Sequence, residues 1–146
     1  MTRLFAVLLA ITVGASAVAA QNTAIIKERK DHYKAMGDAA KPVGAMYKGE
    51  ADFDLAKVQA ALKVFQEKVA LLPPLFPDDS KTGGETEALP IIWNEKADFE
   101  ERFKKLGAAA KAAEAAITDE DTFADNWKTV MGNCSSCHKK FRKPKS

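Results

Sequence analysis

Apolar side chains recur at alternating spacings of three and four residues in four separate segments of this 146-residue chain. Such spacing gives a helix one apolar face, and its average of about 3.5 residues suits nearly parallel helix packing. The predicted helices run over about Thr23–Met46, Leu55–Leu72, Glu95–Ile117 and Asp121–Arg142. Four amphipathic helices with short connections predict an all-α fold, an antiparallel four-helix bundle.

Helix breakers and caps separate these segments. Pro42 and Gly44 are expected to kink or end the first helix, because proline lacks an amide hydrogen and its ring clashes with the preceding turn. Residues 77–90 form the longest predicted loop. Thr118 is the predicted N-cap of the fourth helix, since a threonine oxygen can accept a hydrogen bond from a first-turn amide.

The first 20 residues have the pattern of a secretory signal peptide. A basic start at Arg3 precedes an apolar run from Leu4 to Val13, and small residues follow, with an Ala-x-Ala cleavage site at 17–19. The apolar run is too short to span a bilayer. We therefore expect one exported domain, residues 21–146, that is periplasmic and has no membrane anchor. The net charge of +2, to which Arg3 contributes one, is too balanced to indicate a nucleic-acid partner.

A Cys-x-x-Cys-His motif, Cys134-Ser135-Ser136-Cys137-His138, lies within the predicted fourth helix. This is the attachment pattern of a c-type haem, in which two thiols add across the haem vinyl groups and the histidine can supply the proximal iron ligand. A disulfide between the only two cysteines would close a very small loop and stabilise little. A thioredoxin-like site would need alternating strands and helices, which the pattern does not show. The motif predicts one covalent haem c per chain, with His138 as its metal ligand.

The first predicted helix has two unusual residues on its apolar face, Arg29 and Tyr33. An arginine on a buried face is costly unless an opposite charge meets it, and a haem propionate would be such a partner. A surface arginine that extends past the core is the alternative.

The mature chain resembles the class II c-type cytochromes, and within them the cytochrome c′ family. The matching segments are Lys27-Glu28-Arg29 with Tyr33-Lys34-Ala35-Met36-Gly37, Leu72-Pro73-Pro74-Leu75-Phe76-Pro77, Gly84-Glu85-Thr86-Glu87, Ile92-Trp93, and the haem motif followed by Lys139-Lys140-Phe141-Arg142. The haem motif is shared by all c-type cytochromes, and its position at the C-terminus of a four-helix chain makes the class II resemblance specific.

This resemblance implies a five-coordinate, high-spin haem with His138 as its single protein ligand. It also implies binding of nitric oxide and carbon monoxide, and homodimers formed through the first two helices. It places Arg29 at a haem propionate and Arg142 near the proximal face of the iron. Thr86 and Glu87 correspond to a loop segment near the haem edge.

Tyr33 decides between two branches of the class, because the low-spin branch has a methionine at this position as a sixth iron ligand. A neutral phenol is a poor ligand for ferrous iron, and its bulk would guard the distal face. The resemblance therefore favours a gas-binding protein. The alternative is a six-coordinate electron carrier, with Met36 or His32 as the sixth ligand and a basic tail that steers an acidic redox partner.

No enzymatic activity is predicted. A peroxidase would need a distal acid-base group, and His32, the only spare histidine, lies one position off the apolar face of the first helix.

Overall fold

The computed structural model of the chain describes residues 22–144, and within this range it contains five α-helices and no β-strand. The helices are α1 (Thr23–Tyr47), α2 (Leu55–Leu71), the single-turn α3 (Ile91–Asn94), α4 (Lys96–Ala116) and α5 (Phe123–Phe141). The four long helices match the four predicted from periodicity within a few residues. The predicted signal peptide, 1–20, lies outside the described residues.

The four long helices form the predicted bundle, in which α2 packs against α1 and α4, and α4 packs against α5. Among the long helices of the described chain, α1 makes extensive contact with α2 alone and α5 with α4 alone, so α1 and α5 are not packed against each other. The bundle therefore has one loosely packed side, between its first and last helices. No helix among residues 22–144 is long and apolar enough to cross a membrane.

Helix α1 begins after Asn22, whose side-chain oxygen accepts a hydrogen bond from the Ile25 amide at 3.1 Å. Of the two expected effects of Pro42 and Gly44, a kink or an end, the end is wrong at these residues, because the helix runs on to Tyr47. Pro42 is exposed. Its missing amide removes one hydrogen bond, but the turns on either side keep theirs and the helix continues.

The predicted cap of the last helix was also wrong. The N-cap of α5 is Thr122 rather than Thr118. Thr118 belongs to a turn in which the Thr122 hydroxyl oxygen accepts hydrogen bonds from the amides of Thr118 at 3.1 Å and Asp119 at 3.2 Å. The Asp119 carboxylate in turn accepts from the Thr122 amide at 2.9 Å. Two threonines could each precede the helix, and this reciprocal bonding between Asp119 and Thr122 places its start four residues later than Thr118.

The aromatic core is centred on Phe99 of α4. Its ring lies edge-on to Phe76 in the loop after α2 (4.7 Å between centroids), to Phe103 (4.9 Å) and to Phe141 at the end of α5 (5.1 Å). Edge-to-face pairs at these distances are favourable beyond the area that they bury. This cluster holds the loop after α2 and the C-terminal end of α5 against the same helix.

Candidate functional site

A cavity of about 630 Å³ lies on the loosely packed side of the bundle. Its volume is in the range of sites for small organic ligands and cofactors. Residues of α1 form one wall of the cavity and residues of α5 form the opposite wall, and both walls carry residues predicted from the sequence. All eight predicted site residues line it: Arg29, Tyr33, Thr86, Glu87, Cys134, Cys137, His138 and Arg142.

The wall formed by α5 carries the two cysteines and the histidine. Cys134 and Cys137 are half-buried, are not joined in a disulfide, and pack against the hydrophobic core one helical turn apart. His138 lies in the last turn of the helix and is exposed on its other side, where it also lines a second recess of about 390 Å³. One helical turn therefore presents both sulfurs and an imidazole to the same cavity.

Burial affects the chemistry of these thiols. It raises the pKa of Cys137 to about 11, and it also raises the pKa of Cys134. Redox-active Cys-x-x-Cys pairs have thiol pKa values well below the ordinary value, because the thiolate is the reactive form. Two buried, protonated thiols argue against a redox dithiol and agree with a pair that anchors a cofactor.

On the opposite wall, the Arg29 side chain is only 2% exposed, so it is not a surface arginine. Its Nη1 donates to the Leu75 carbonyl at 3.2 Å and to Ser80 Oγ at 2.9 Å. Its Nη2 donates to the Ser80 carbonyl at 2.9 Å and to Thr86 Oγ1 at 2.7 Å. The guanidinium also lies 4.6 Å from the centroid of Phe76.

All four of these acceptors are neutral. Burial lowers the pKa of Arg29, yet a guanidinium stays protonated in proteins. A buried positive charge without a carboxylate is costly, and an anionic group at the cavity edge would offset that cost.

Tyr33 lies one turn after Arg29 on α1 and packs against the core. Burial is the main reason that its phenol pKa lies well above the ordinary value, with a smaller contribution from the nearby Cys137 sulfur. The phenol is therefore neutral at physiological pH. Met36, another turn along, lines the same cavity, whereas His32 does not. The His32 imidazole instead lies 4.0 Å from the Glu28 carboxylate.

Thr86 and Glu87 occupy the loop between α2 and α3 and connect the two walls. Thr86 accepts the hydrogen bond from Arg29, while the Glu87 carboxylate accepts one from Arg142 Nε at 2.6 Å. In the structure their side chains are therefore hydrogen-bonded to Arg29 and Arg142, respectively.

Sequence reasoning missed two residues of this site. Ser80 is fully buried and supplies two of the four acceptors for Arg29, but an isolated serine in a loop carries no sequence signal. Arg102 lines the cavity from α4 and is held by Asp98, with 3.3 Å between Nε and Oδ1. Its position in the helix was typical of an exposed charge.

Comparison with known proteins identifies the family. The model of the family described as Cytochrome C′ matches residues 24–142. The chain belongs to the cytochrome c′ family. A cytochrome c′ of Rhodopseudomonas palustris is 50% identical over 136 residues, which cover 93% of each chain. A solved structure of cytochrome c′ from the same organism has a TM-score of 0.82 and 52% identity, and the match covers 84% of this chain and 98% of that one.

Two further proteins are also similar. A cytochrome c-556 of Rhodopseudomonas palustris is 36% identical over 137 residues, 91% of each chain. A nitric oxide complex of a variant cytochrome c prime from Alcaligenes xylosoxidans has a TM-score of 0.74 and 25% identity, covering 86% of this chain and 98% of that one.

The cofactor of the cytochrome c′ family is haem c, and the cavity fits this group in three respects. Its lining is mainly apolar, with Phe65, Phe76, Phe99 and Phe103 among the side chains that would contact a macrocycle. The sequence has only two cysteines, and both lie on one wall. The other wall holds a buried cation that lacks an anionic partner. The predicted fold, family and cofactor are therefore confirmed.

Proposed function

We propose that the chain is a periplasmic haem protein that binds nitric oxide and carbon monoxide at a high-spin, five-coordinate iron. Cys134 and Cys137 would hold the haem through thioethers, and His138 would be its single protein ligand. Bound haem c supplies an iron centre with an open coordination position. Tyr33 carries the proposal, because α1 brings this neutral phenol to the wall opposite α5, where the low-spin branch would place a ligating methionine.

The side chains around the haem would hold a propionate, lie beside the proximal face and restrict the distal side. Arg29 would meet a propionate with its positive charge, and Arg142 would lie near the proximal face. Tyr33, fixed by its packing against the core, would restrict the distal side and could donate its hydroxyl hydrogen to a small bound ligand. The nitric oxide complex of the related cytochrome c prime supports gas binding.

An optical spectrum of the purified ferrous protein, with and without nitric oxide, tests this function. We expect a broad high-spin Soret band that shifts when the gas is added, because no protein side chain would be a sixth ligand of the iron. Sharp low-spin bands that do not respond to the gas would contradict the proposal.

Electron transport by a six-coordinate iron is the second candidate. The observation that favours it is Met36, a thioether on the same cavity wall as Tyr33, together with the similarity to a cytochrome c-556. A low-spin spectrum that becomes high-spin in Met36→Leu would support this candidate over gas binding. Of the basic tail, Lys140 pairs with Glu95 and Asp98, and Arg142 pairs with Glu87, so much of the charge that could steer a redox partner is balanced internally.

Replacing Tyr33 with alanine is expected to speed carbon monoxide association to the ferrous protein about tenfold, as removal of a steric barrier of about 1.4 kcal/mol would. Flash photolysis or stopped-flow measurement gives the rate. Tyr47→Ala is the matched control, because Tyr47 is on the same helix but is 44% exposed and away from the cavity. Equal association rates for the parent protein, Tyr33→Ala and Tyr47→Ala would contradict the proposal that Tyr33 restricts access to the iron.

We also propose that the chain is not an enzyme and that it forms homodimers through α1 and α2. His32 lies outside the cavity lining, which supports the absence of a distal acid-base group of the peroxidase type. The partly exposed Tyr47 on α1 and Leu71 on α2 give this helix pair apolar surface for a second copy. Sedimentation of the haem-loaded protein tests dimerisation, and a monomer at all concentrations would contradict it.

A further inference from the structure

The loop residues 83–88, here termed the strap, run between the two walls of the cavity. Three successive residues have left-handed backbones: Gly83 (φ 88°), Gly84 (φ 52°) and Glu85 (φ 54°). A side chain on Gly84 would come within 2.9 Å of Ile26 Cγ2, so the strap approaches α1 as closely as a glycine allows. This tight turn directs the two residues that follow it toward the arginines of the site.

The first half of the strap is fixed to α1. Thr86 Oγ1 accepts the 2.7 Å hydrogen bond from the buried Arg29, and it also accepts one from the Ala88 amide at 3.2 Å. Thr86 itself is buried. The position of Glu87, the next residue, is therefore set in part from the α1 side of the cavity.

The second half of the strap pairs with the chain that follows α5. The Leu89 amide donates to the Phe141 carbonyl at 3.0 Å, and the Lys143 amide donates to the Glu87 carbonyl at 2.8 Å. These backbone bonds form a short antiparallel bridge between Ala88 and Arg142. Because the bridge uses main-chain atoms only, it does not require the Glu87 side chain.

The Glu87 carboxylate adds one contact to this bridge, the 2.6 Å bond from Arg142 Nε. Arg142 caps α5 one turn after His138, and both residues line the main cavity as well as the recess of about 390 Å³. Beyond the last helical residue, Arg142 has extended backbone. Its guanidinium is bonded to the Glu87 carboxylate at the recess that it shares with His138.

We propose that Glu87 is a positioning residue that fixes Arg142 beside the proximal histidine. This inference rests on the proposed role of His138 as iron ligand. Groups around a metal-bound histidine set the orientation and basicity of its ring. A guanidinium fixed beside that ring imposes one electrostatic environment, whereas a freely moving guanidinium imposes a range of them.

We expect removal of the Glu87 carboxylate to change the surroundings of His138 and to leave the stability of the fold nearly unchanged. The two side chains of the ion pair are 28% and 57% exposed, and ion pairs at such positions change folding equilibria about fivefold at most. Glu87→Ala should therefore fold with a melting temperature close to that of the parent protein, because the backbone bridge and the Arg29–Thr86 bond remain.

The test compares Glu87→Ala with Glu85→Ala in the haem-loaded protein. Glu85 is two residues away in the same strap, carries the same charge, and is 94% exposed, with Lys30 Nζ 3.5 Å from its carboxylate. The first measurement is the rate of hydrogen exchange at Arg142 Nε, which NMR detects in the carbon monoxide form of the protein. We expect exchange to be about fivefold faster in Glu87→Ala, the most that loss of an exposed pair gives, and unchanged in Glu85→Ala.

The second measurement is the iron–histidine stretching band of the ferrous protein in resonance Raman spectra. We expect the band to shift or broaden in Glu87→Ala, to stay unchanged in Glu85→Ala, and to return toward the parent position in Glu87→Gln, which keeps an acceptor for Arg142. An identical band in Glu87→Ala and the parent protein would overturn the proposal, whatever the exchange rate. A parent protein with no such band would contradict the proposed five-coordinate function instead, and the Arg142 exchange rate would then decide whether Glu87 fixes the arginine.

Discussion

Changing Cys134 and Cys137 together to alanine is expected to abolish covalent haem attachment completely. These are the only cysteines in the sequence, so no other thiol can replace them. Mass spectrometry of the denatured protein checks this, because a thioether-bound haem stays with the chain when the fold is lost. Each single variant should keep haem through its remaining sulfur, with an altered spectrum from the vinyl group that is left unreacted.

Loss of the haem should also destabilise the bundle. The cavity of about 630 Å³ separates α1 from α5, and its apolar lining would be exposed to water in the double variant. The lining side chains would lose their apolar contacts with the haem, and returning even one large apolar side chain to water costs about 1.5–3 kcal/mol. We expect a loss of at least this size in urea unfolding. Ser135→Ala is the control, since Ser135 is exposed between the two cysteines. Haem that stays attached to the denatured double variant would refute the assignment of the anchoring residues.

The sequence was sufficient to predict the elements of the fold and the identity of the cofactor. Helical periodicity depends on neighbours three and four residues apart, so each long helix could be recognised from its own segment. The haem motif is equally local, since Cys134 and Cys137 lie one turn apart on the same helix face. For the same reason Cys134, Cys137 and His138 could be predicted on one cavity wall, whereas Met131 and Asn133 of the same wall could not.

The interactions of Arg29 could not be predicted, because they depend on the path of a loop. Its partner Ser80 is 51 residues away and has no pattern that distinguishes it from other loop serines. The resemblance places Thr86 and Glu87 near the haem edge, and both line the cavity, but it gives no indication that they are hydrogen-bonded to Arg29 and Arg142. Local propensity also failed where two threonines could each precede the helix, as at Thr118 and Thr122.

Arg29→Met is the second change expected to have a large effect, a fall of about 3 kcal/mol in the free energy of unfolding of the haem-loaded protein. Methionine has a similar length but no donor, so the buried acceptors on Leu75, Ser80 and Thr86 would lose their hydrogen bonds. Each buried acceptor left without a partner costs about 1–3 kcal/mol, although relaxation of the loop recovers part of the total. Chemical denaturation, followed by far-ultraviolet circular dichroism, gives the value.

Two further variants separate the hydrogen bonds of Arg29 from its charge. Arg29→Lys keeps the charge but lacks the planar fork that reaches four acceptors, so we expect an intermediate loss of stability. Lys30→Met removes a neighbouring positive charge that contacts the strap only at an exposed position, with Nζ 3.4 Å from the Gly84 carbonyl. Its effect should be below about 1 kcal/mol.

The relative stabilities of Arg29→Met and Arg29→Lys distinguish two roles of Arg29. One is to pair with a propionate, and the other is to hold the loop after α2 by hydrogen bonds. If pairing with a propionate were its only role, Arg29→Lys would be close to the parent protein, because a lysine can meet a propionate as a point charge. If the hydrogen bonds to the loop dominate, Arg29→Lys should lie closer to Arg29→Met, and residues 73–86 should exchange their amide hydrogens faster in both variants. The four hydrogen bonds in the structure lead us to expect the second pattern, and equal stability of Arg29→Lys and the parent protein would contradict it.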